Sequence, residues 1–140
     1  APAPLLKEML KLHQYAIMCA PTASQFAAIE ALKNGDKDIE YMKTEYNRRR
    51  NFIYEGLKSV GLDVIMPKGA FYIFPKVGDY GLSSEEFCER LLQEEKAAIV
   101  PGTAFGPGGA GFCRCSYATG MSELAEAAKR IKAFVSSLKN

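Results

Sequence analysis

Residues 112–118 read Phe-Cys-Arg-Cys-Ser-Tyr-Ala and place a single arginine, Arg114, among uncharged neighbours. They follow a Pro/Gly-dense loop, which itself follows a short apolar strand ending near Val100. On a strand, successive side chains face opposite sides. Cys113, Cys115 and Tyr117 therefore share one face, and Phe112, Arg114, Ser116 and Ala118 share the other. A guanidinium on a half-buried strand is costly unless it meets an anion. Its planar fork of donors fits a carboxylate in bidentate fashion. Two readings follow from the residues: a receptor for a ligand's carboxylate, or an internal ion pair with one of the chain's own acids.

Other catalytic chemistries find less support. His13 is the only histidine, so a Ser-His or Cys-His arrangement would have to use it. Its helical setting beside Leu10 and Ile17 suits a surface or packing role instead. Cys19, Cys88, Cys113 and Cys115 are sparse and stand in apolar settings, as reduced, buried thiols do. They point to a reducing, cytoplasmic compartment. Cys113-x-Cys115 is too short for a zinc half-site, and no metal centre is expected. Gly106-x-Gly108-x-x-Gly111 has the letters of a dinucleotide fingerprint, which works only when the glycines open a helix; here the next element is a strand. Phe71-Tyr72-Ile73-Phe74 lacks the interleaved basic residues of a base-stacking platform and reads as core. Arg48-Arg49-Arg50 lies in a helical stretch and reads as a solvated face. A formal net charge of +2 gives no reason to expect nucleic acid or an anionic membrane as partner. No apolar run approaches the roughly 18 residues that span a bilayer.

The elements that must position Arg114 follow from periodicity. At 140 residues the chain is long enough for a real core. It has no initiator methionine, and Ala1-Pro2-Ala3-Pro4 reads as an extended connector, so the chain is expected to be a piece of a longer protein. Leu6, Met9, Leu10 and His13 form a helical face over residues 5–15. Pro21 interrupts it, and Thr22 or Ser24 opens a second helix to Leu32. Asn34-Gly35-Asp36 stops that helix and starts a long amphipathic one ending at Gly61. Asp63–Met66 and Ala70–Phe74 read as two strands joined by a tight turn at Pro67-Lys68-Gly69, the second covered on both faces. Ser83-x-x-Glu86 is a capping box opening another helix. Strands at 97–100 and 112–118 and a last helix from Met121 complete an α+β arrangement, a small, mostly antiparallel sheet against helices.

Taken together, Pro67-Lys68-Gly69-Ala70-Phe71-Tyr72, Val100-Pro101-Gly102-Thr103-Ala104-Phe105-Gly106 and Arg114-Cys115-Ser116-Tyr117-Ala118 resemble the C-terminal small domain of class I/II, fold-type I, PLP-dependent aminotransferases. The segment from Lys11 through Gln25 resembles the link between large and small domains in the aspartate- and aromatic-aminotransferase-like branch. The resemblance implies connector helices over residues 1–34 and a small domain over 35–140. It implies that Arg114 binds the substrate α-carboxylate, that Gly102, Phe105 and Gly106 form an active-site loop, and that Tyr72 stands near the substrate. It also implies a homodimeric enzyme using pyridoxal 5'-phosphate to move an amino group between an amino acid and a 2-oxo acid. No lysine here matches the family's Schiff-base motif. The chain alone is thus expected to hold no catalytic residue, bind no cofactor and be inactive. The competing expectation is a non-catalytic α+β module that binds amino or keto acids.

Overall fold

The computed structural model describes residues Ala1–Lys139. The chain divides into two compact units, Ala1–Tyr41 and Met42 onward.

The first unit holds α1 (Ala3–Ile17), α2 (Thr22–Asn34) and the beginning of α3 (Asp36–Ser59). The opening Ala-Pro repeat is not an extended connector throughout: Ala3 and Pro4 form the first turn of α1. Proline suits that place, because its missing N–H would have no intrahelical partner there. A single residue, Gly35, separates α2 from α3, and a Cβ at that position would strike the Ala31 carbonyl oxygen. No residue of α1 or α2 is buried, so Leu5, Leu6, Met9, Phe26 and Ile29 remain open. Cys19 is likewise exposed, against the expectation of a buried thiol.

The second unit contains the core. Ile53 and Leu57 of α3 are buried, and Gly61 ends that helix with φ of 90°, a conformation that favours glycine. Strand β1 (Asp63–Val64) pairs antiparallel with β3 (Pro75–Lys76), in the register Val64↔Pro75. β2 (Tyr72–Ile73) pairs with β5 (Cys113–Ser116), which pairs with β4 (Val100–Pro101), both antiparallel. The expected hairpin between Asp63–Met66 and Ala70–Phe74 is therefore replaced by a change of partner at Phe74, between β2 and β3. The tight turn is replaced by a longer connection. Its Pro67 carbonyl accepts from Arg50 Nη1 at 3.0 Å, and Ala70 takes a positive φ of 57°. Nor is β2 covered on both faces: Ile73 is buried, but Phe71 and Phe74 are exposed.

The basic triplet also differs from a uniformly solvated face. Arg48 is exposed, whereas Arg49 and Arg50 are half-buried. Arg50 anchors the loop before β2, and Arg49 lies over the Tyr46 ring.

α4 (Ser84–Glu95) opens as the capping pattern predicts, with Ser83 Oγ accepting from the Glu86 amide at 3.1 Å. Its Phe87 meets Phe134 of α5 (Met121–Ser137) edge-on, centroids 5.0 Å apart. Both rings are fully buried, and burying such a side chain is worth about 1.5–3 kcal/mol. The α+β class read from the sequence is the observed one.

Candidate functional site

Strand β5 keeps the alternation read from the sequence. Cys113, Cys115 and Tyr117 point into the core and are buried, while Arg114 on the opposite face is half-buried. Arg114 stands opposite Val100 of β4, and Ser116 stands opposite Tyr72 of β2. The end of β5 is tied to the loop before β2 by Tyr117, whose amide donates to the Phe71 carbonyl at 2.9 Å. The Tyr117 hydroxyl donates to the Ala70 carbonyl at 3.0 Å.

The guanidinium carbon of Arg114 lies 4.2 Å from the centroid of the Tyr72 ring and 4.2 Å from that of Phe105. Two aromatic rings thus hold one cation, an arrangement in which each ring attracts positive charge electrostatically. Phe71 lies 4.6 Å from Tyr72, and Phe74 meets Phe105 edge-on at 6.0 Å, which extends the aromatic surround. Arg114 Nε is buried without a hydrogen-bond partner. Arg114 forms no ion pair with an acid among the described residues, so the internal-pair reading finds no partner there.

Phe105 reaches this position from a loop of two short 3-10 turns, Gly102–Phe105 and Pro107–Gly109. The loop enters strand β5 rather than a helix, so its glycines do not form a dinucleotide cradle. They allow close backbone packing instead. A Cβ on Gly102 would strike the Gly109 carbonyl oxygen, and one on Gly109 would strike that of Gly102. The Gly102 amide donates to the Phe112 carbonyl at 2.8 Å, and the Phe112 amide donates to Gly109 at 3.1 Å. Gly106 takes φ of 119°, open only to glycine at low cost.

Two further supports lie on α4 and were not read from the sequence. Thr103 Oγ1 donates to Glu85, and this bond holds the Glu85 carboxyl below its usual range. Ser84 is buried, and its hydroxyl accepts from the Gly111 amide at 3.0 Å. The Ser83-Ser84-Glu85 run was the available signal, but its first serine explained it fully as a cap.

Of the predicted site residues, Tyr72 and Phe105 each contact Arg114, and Gly102 and Gly106 shape the turn that delivers Phe105. A cavity of about 570 Å3 lies elsewhere, lined by Ile53, Ile99, Cys115, Leu124, Arg130 and Ile131, and does not include Arg114. The polar groups at the Arg114 cluster are a guanidinium and a phenol. Neither condenses with an aldehyde, so these residues do not by themselves fit pyridoxal phosphate.

The family described as aminotransferase class I and II matches residues 1–131, and the chain belongs to that family. The Bacillus subtilis protein YugH, whose name places it among aminotransferases, is 55% identical over 135 residues, covering 96% of this chain and 35% of its own length. Aspartate aminotransferase of Pyrococcus abyssi is 45% identical over 134 residues, covering 94% and 34%. The crystal structure of an aromatic aminotransferase from Pyrococcus horikoshii superposes with a TM-score of 0.87 at 42% identity, over 99% of this chain and 38% of that one. A PLP-bound protein from Clostridium difficile, also named as an aminotransferase, gives 0.80 at 27% identity, over 96% and 36%. The chain spans about a third of the length of these relatives.

Proposed function

We propose that this member of the aminotransferase class I and II family supplies the carboxylate-binding arm of an enzyme that moves an amino group between an amino acid and a 2-oxo acid. The observation that carries the reading is the Arg114 cluster: a half-buried guanidinium clasped by Tyr72 and Phe105, with no ion pair to an acid among the described residues. An α-carboxylate is the anion such a fork accepts, and charge-assisted hydrogen bonds are worth about 1.5–3 kcal/mol each. Fixing that carboxylate orients the rest of the amino acid, which is the chain's contribution to rate. Tyr72 and Phe105 flank the guanidinium, and Gly102 and Gly106 let the loop approach without side chains in the way. No residue of this chain is assigned a catalytic role.

Pyridoxal 5'-phosphate is the cofactor proposed for the intact enzyme, supported by family membership and the PLP-bound relative. It would supply the carrier for the amino group. Its Schiff-base lysine and phosphate site belong, on this reading, to the part of the enzyme this chain does not include. The chain alone is then inactive and binds no cofactor.

Residues 1–34 are proposed as connector helices and 35–140 as the small domain; the wholly unburied α1 and α2 suit segments that pack against other parts of the enzyme. A cytoplasmic homodimer completes the proposal, the compartment supported by four free cysteines.

Titrating the chain with dicarboxylates and aromatic amino acids tests the reading against a free-standing binding module. Weak or absent binding is expected. Tight binding by the chain alone would favour the module.

A further inference from the structure

Cys88 and Cys113 take no part in the carboxylate site, yet their sulfur atoms lie 3.3 Å apart. One stands on α4 and the other on β5, immediately before Arg114. We propose that they form a hydroperoxide-reactive pair, with Cys88 as the attacking thiol and Cys113 as the resolving thiol.

Access and hydrogen bonding set the order. Cys88 is 8% exposed and Cys113 is fully buried. Cys113 Sγ accepts from Cys88 and donates to the Ser84 carbonyl oxygen at 3.7 Å, so its own proton is engaged away from Cys88. The contact with Cys113 holds the Cys88 thiol below its ordinary range, against the opposing effects of burial and the nearby Glu85 charge. The same contact, together with burial, pushes Cys113 up. Cys88 is therefore the group that ionises first, and the thiolate is the nucleophile.

The chemistry balances with hydrogen peroxide as oxidant. Cys88 Sγ attacks one peroxide oxygen, the O–O bond breaks, and the departing hydroxide takes a proton to leave as water. Cys88 is then a sulfenic acid. Cys113 Sγ attacks that sulfur, the S–O bond breaks, and a second water leaves. Two thiols and one peroxide give one disulfide and two waters. The sulfur atoms must close from 3.3 Å to about 2.05 Å, a short movement for side chains already in contact. A resolving thiol at this distance should intercept the sulfenic acid before it oxidises further.

The sequence makes the product easy to read. Trypsin cleaves after Arg114, between Cys113 and Cys115, so Cys88 falls in residues 77–90 and Cys113 in residues 97–114. The test is to expose the chain to hydrogen peroxide, quench with catalase, block free thiols under denaturing conditions, digest, and analyse by mass spectrometry. The expected result is a linked 77–90/97–114 pair, released by dithiothreitol. It should form at least about tenfold faster in buffer than in guanidinium chloride, because the fold supplies the proximity. Cys88 recovered as sulfinic acid beside a free Cys113, both thiols recovered unreacted, linkage chiefly through Cys19 or Cys115, or equal rates in denaturant would each overturn the proposal.

Discussion

The guanidinium carbon of Arg114 lies 4.2 Å from the centroid of the Phe105 ring, although Phe105 is half-exposed and stands on a different element. This contact, with its counterpart at Tyr72, converts a long flexible side chain into an aimed one. Removing one ring should loosen the aim without removing the charge. Cation–π contacts of this kind are worth about 0.5–2 kcal/mol. Phe105→Leu in the intact enzyme is expected to lower kcat/KM for the amino acid by about 2- to 30-fold, with a larger effect on KM than on kcat. Steady-state kinetics checks this, and an unaltered KM would remove Phe105 from the site.

Gly102 and Gly109 pack backbone to backbone, whereas Gly108 beside them has open space around its Cβ position. Gly109→Ala should therefore destabilise the second unit by about 2 kcal/mol or more, since neither facing strand of backbone can retreat without breaking the Gly102–Phe112 hydrogen bond. Gly108→Ala should be tolerated. Chemical denaturation of the two variants measures the contrast, and equal stabilities would show that the loop is not held as described.

Ser84 connects α4 to the same loop through its buried hydroxyl and the Gly111 amide. Ser84→Ala leaves that amide without its partner, at a cost of about 1–3 kcal/mol. Ser83→Ala, which removes only a helix cap, should cost about 1 kcal/mol. Denaturation midpoints should thus rank wild type, Ser83→Ala, Ser84→Ala from most to least stable. The reverse order of the two variants would contradict the assignment.

Burial, and secondarily the charge of Cys88, pushes the Cys115 thiol up to about 12. An unfolded thiol ionises near about 8.5, so above that pH the unfolded state loses its proton before the folded state does. Stability then falls as pH rises between these values, by up to about 1.4 kcal/mol per pH unit for this one group, and is unaffected by it below about pH 8. Unfolding free energies from pH 7 to 11 should show the decline, and Cys115→Ala should flatten it. A variant with the wild-type slope would assign the alkaline sensitivity to other groups.

Much of this site could be read from residue types because a strand's alternation is rigid. Burying Cys113, Cys115 and Tyr117 leaves Arg114 no choice of face. Helix limits were legible for similar reasons, since Gly61 and the Ser83 cap act through local geometry. Strand pairing was less so. Phe71–Phe74 has the apolar run of a doubly covered strand, but runs of letters do not reveal which neighbours cover it, and Phe71 and Phe74 lie open. The turn at Pro67 looked closed because its residue types suit a hairpin. Arg50, distant in sequence, instead fixes the Pro67 carbonyl and leaves Tyr72 free to pair toward β5. Ser84 and Glu85 were missed because their roles depend on a loop nearly twenty residues or more away.

The most direct test concerns Arg114 itself. Lysine keeps the charge but cannot reproduce the bidentate fork. In the intact enzyme, Arg114→Lys is expected to lower kcat/KM for the amino acid by about 10- to 150-fold, the loss of one charge-assisted hydrogen bond. Cofactor absorbance should be unchanged if, as proposed, Arg114 binds the substrate rather than the cofactor. A variant with wild-type kcat/KM would show that the α-carboxylate is bound elsewhere.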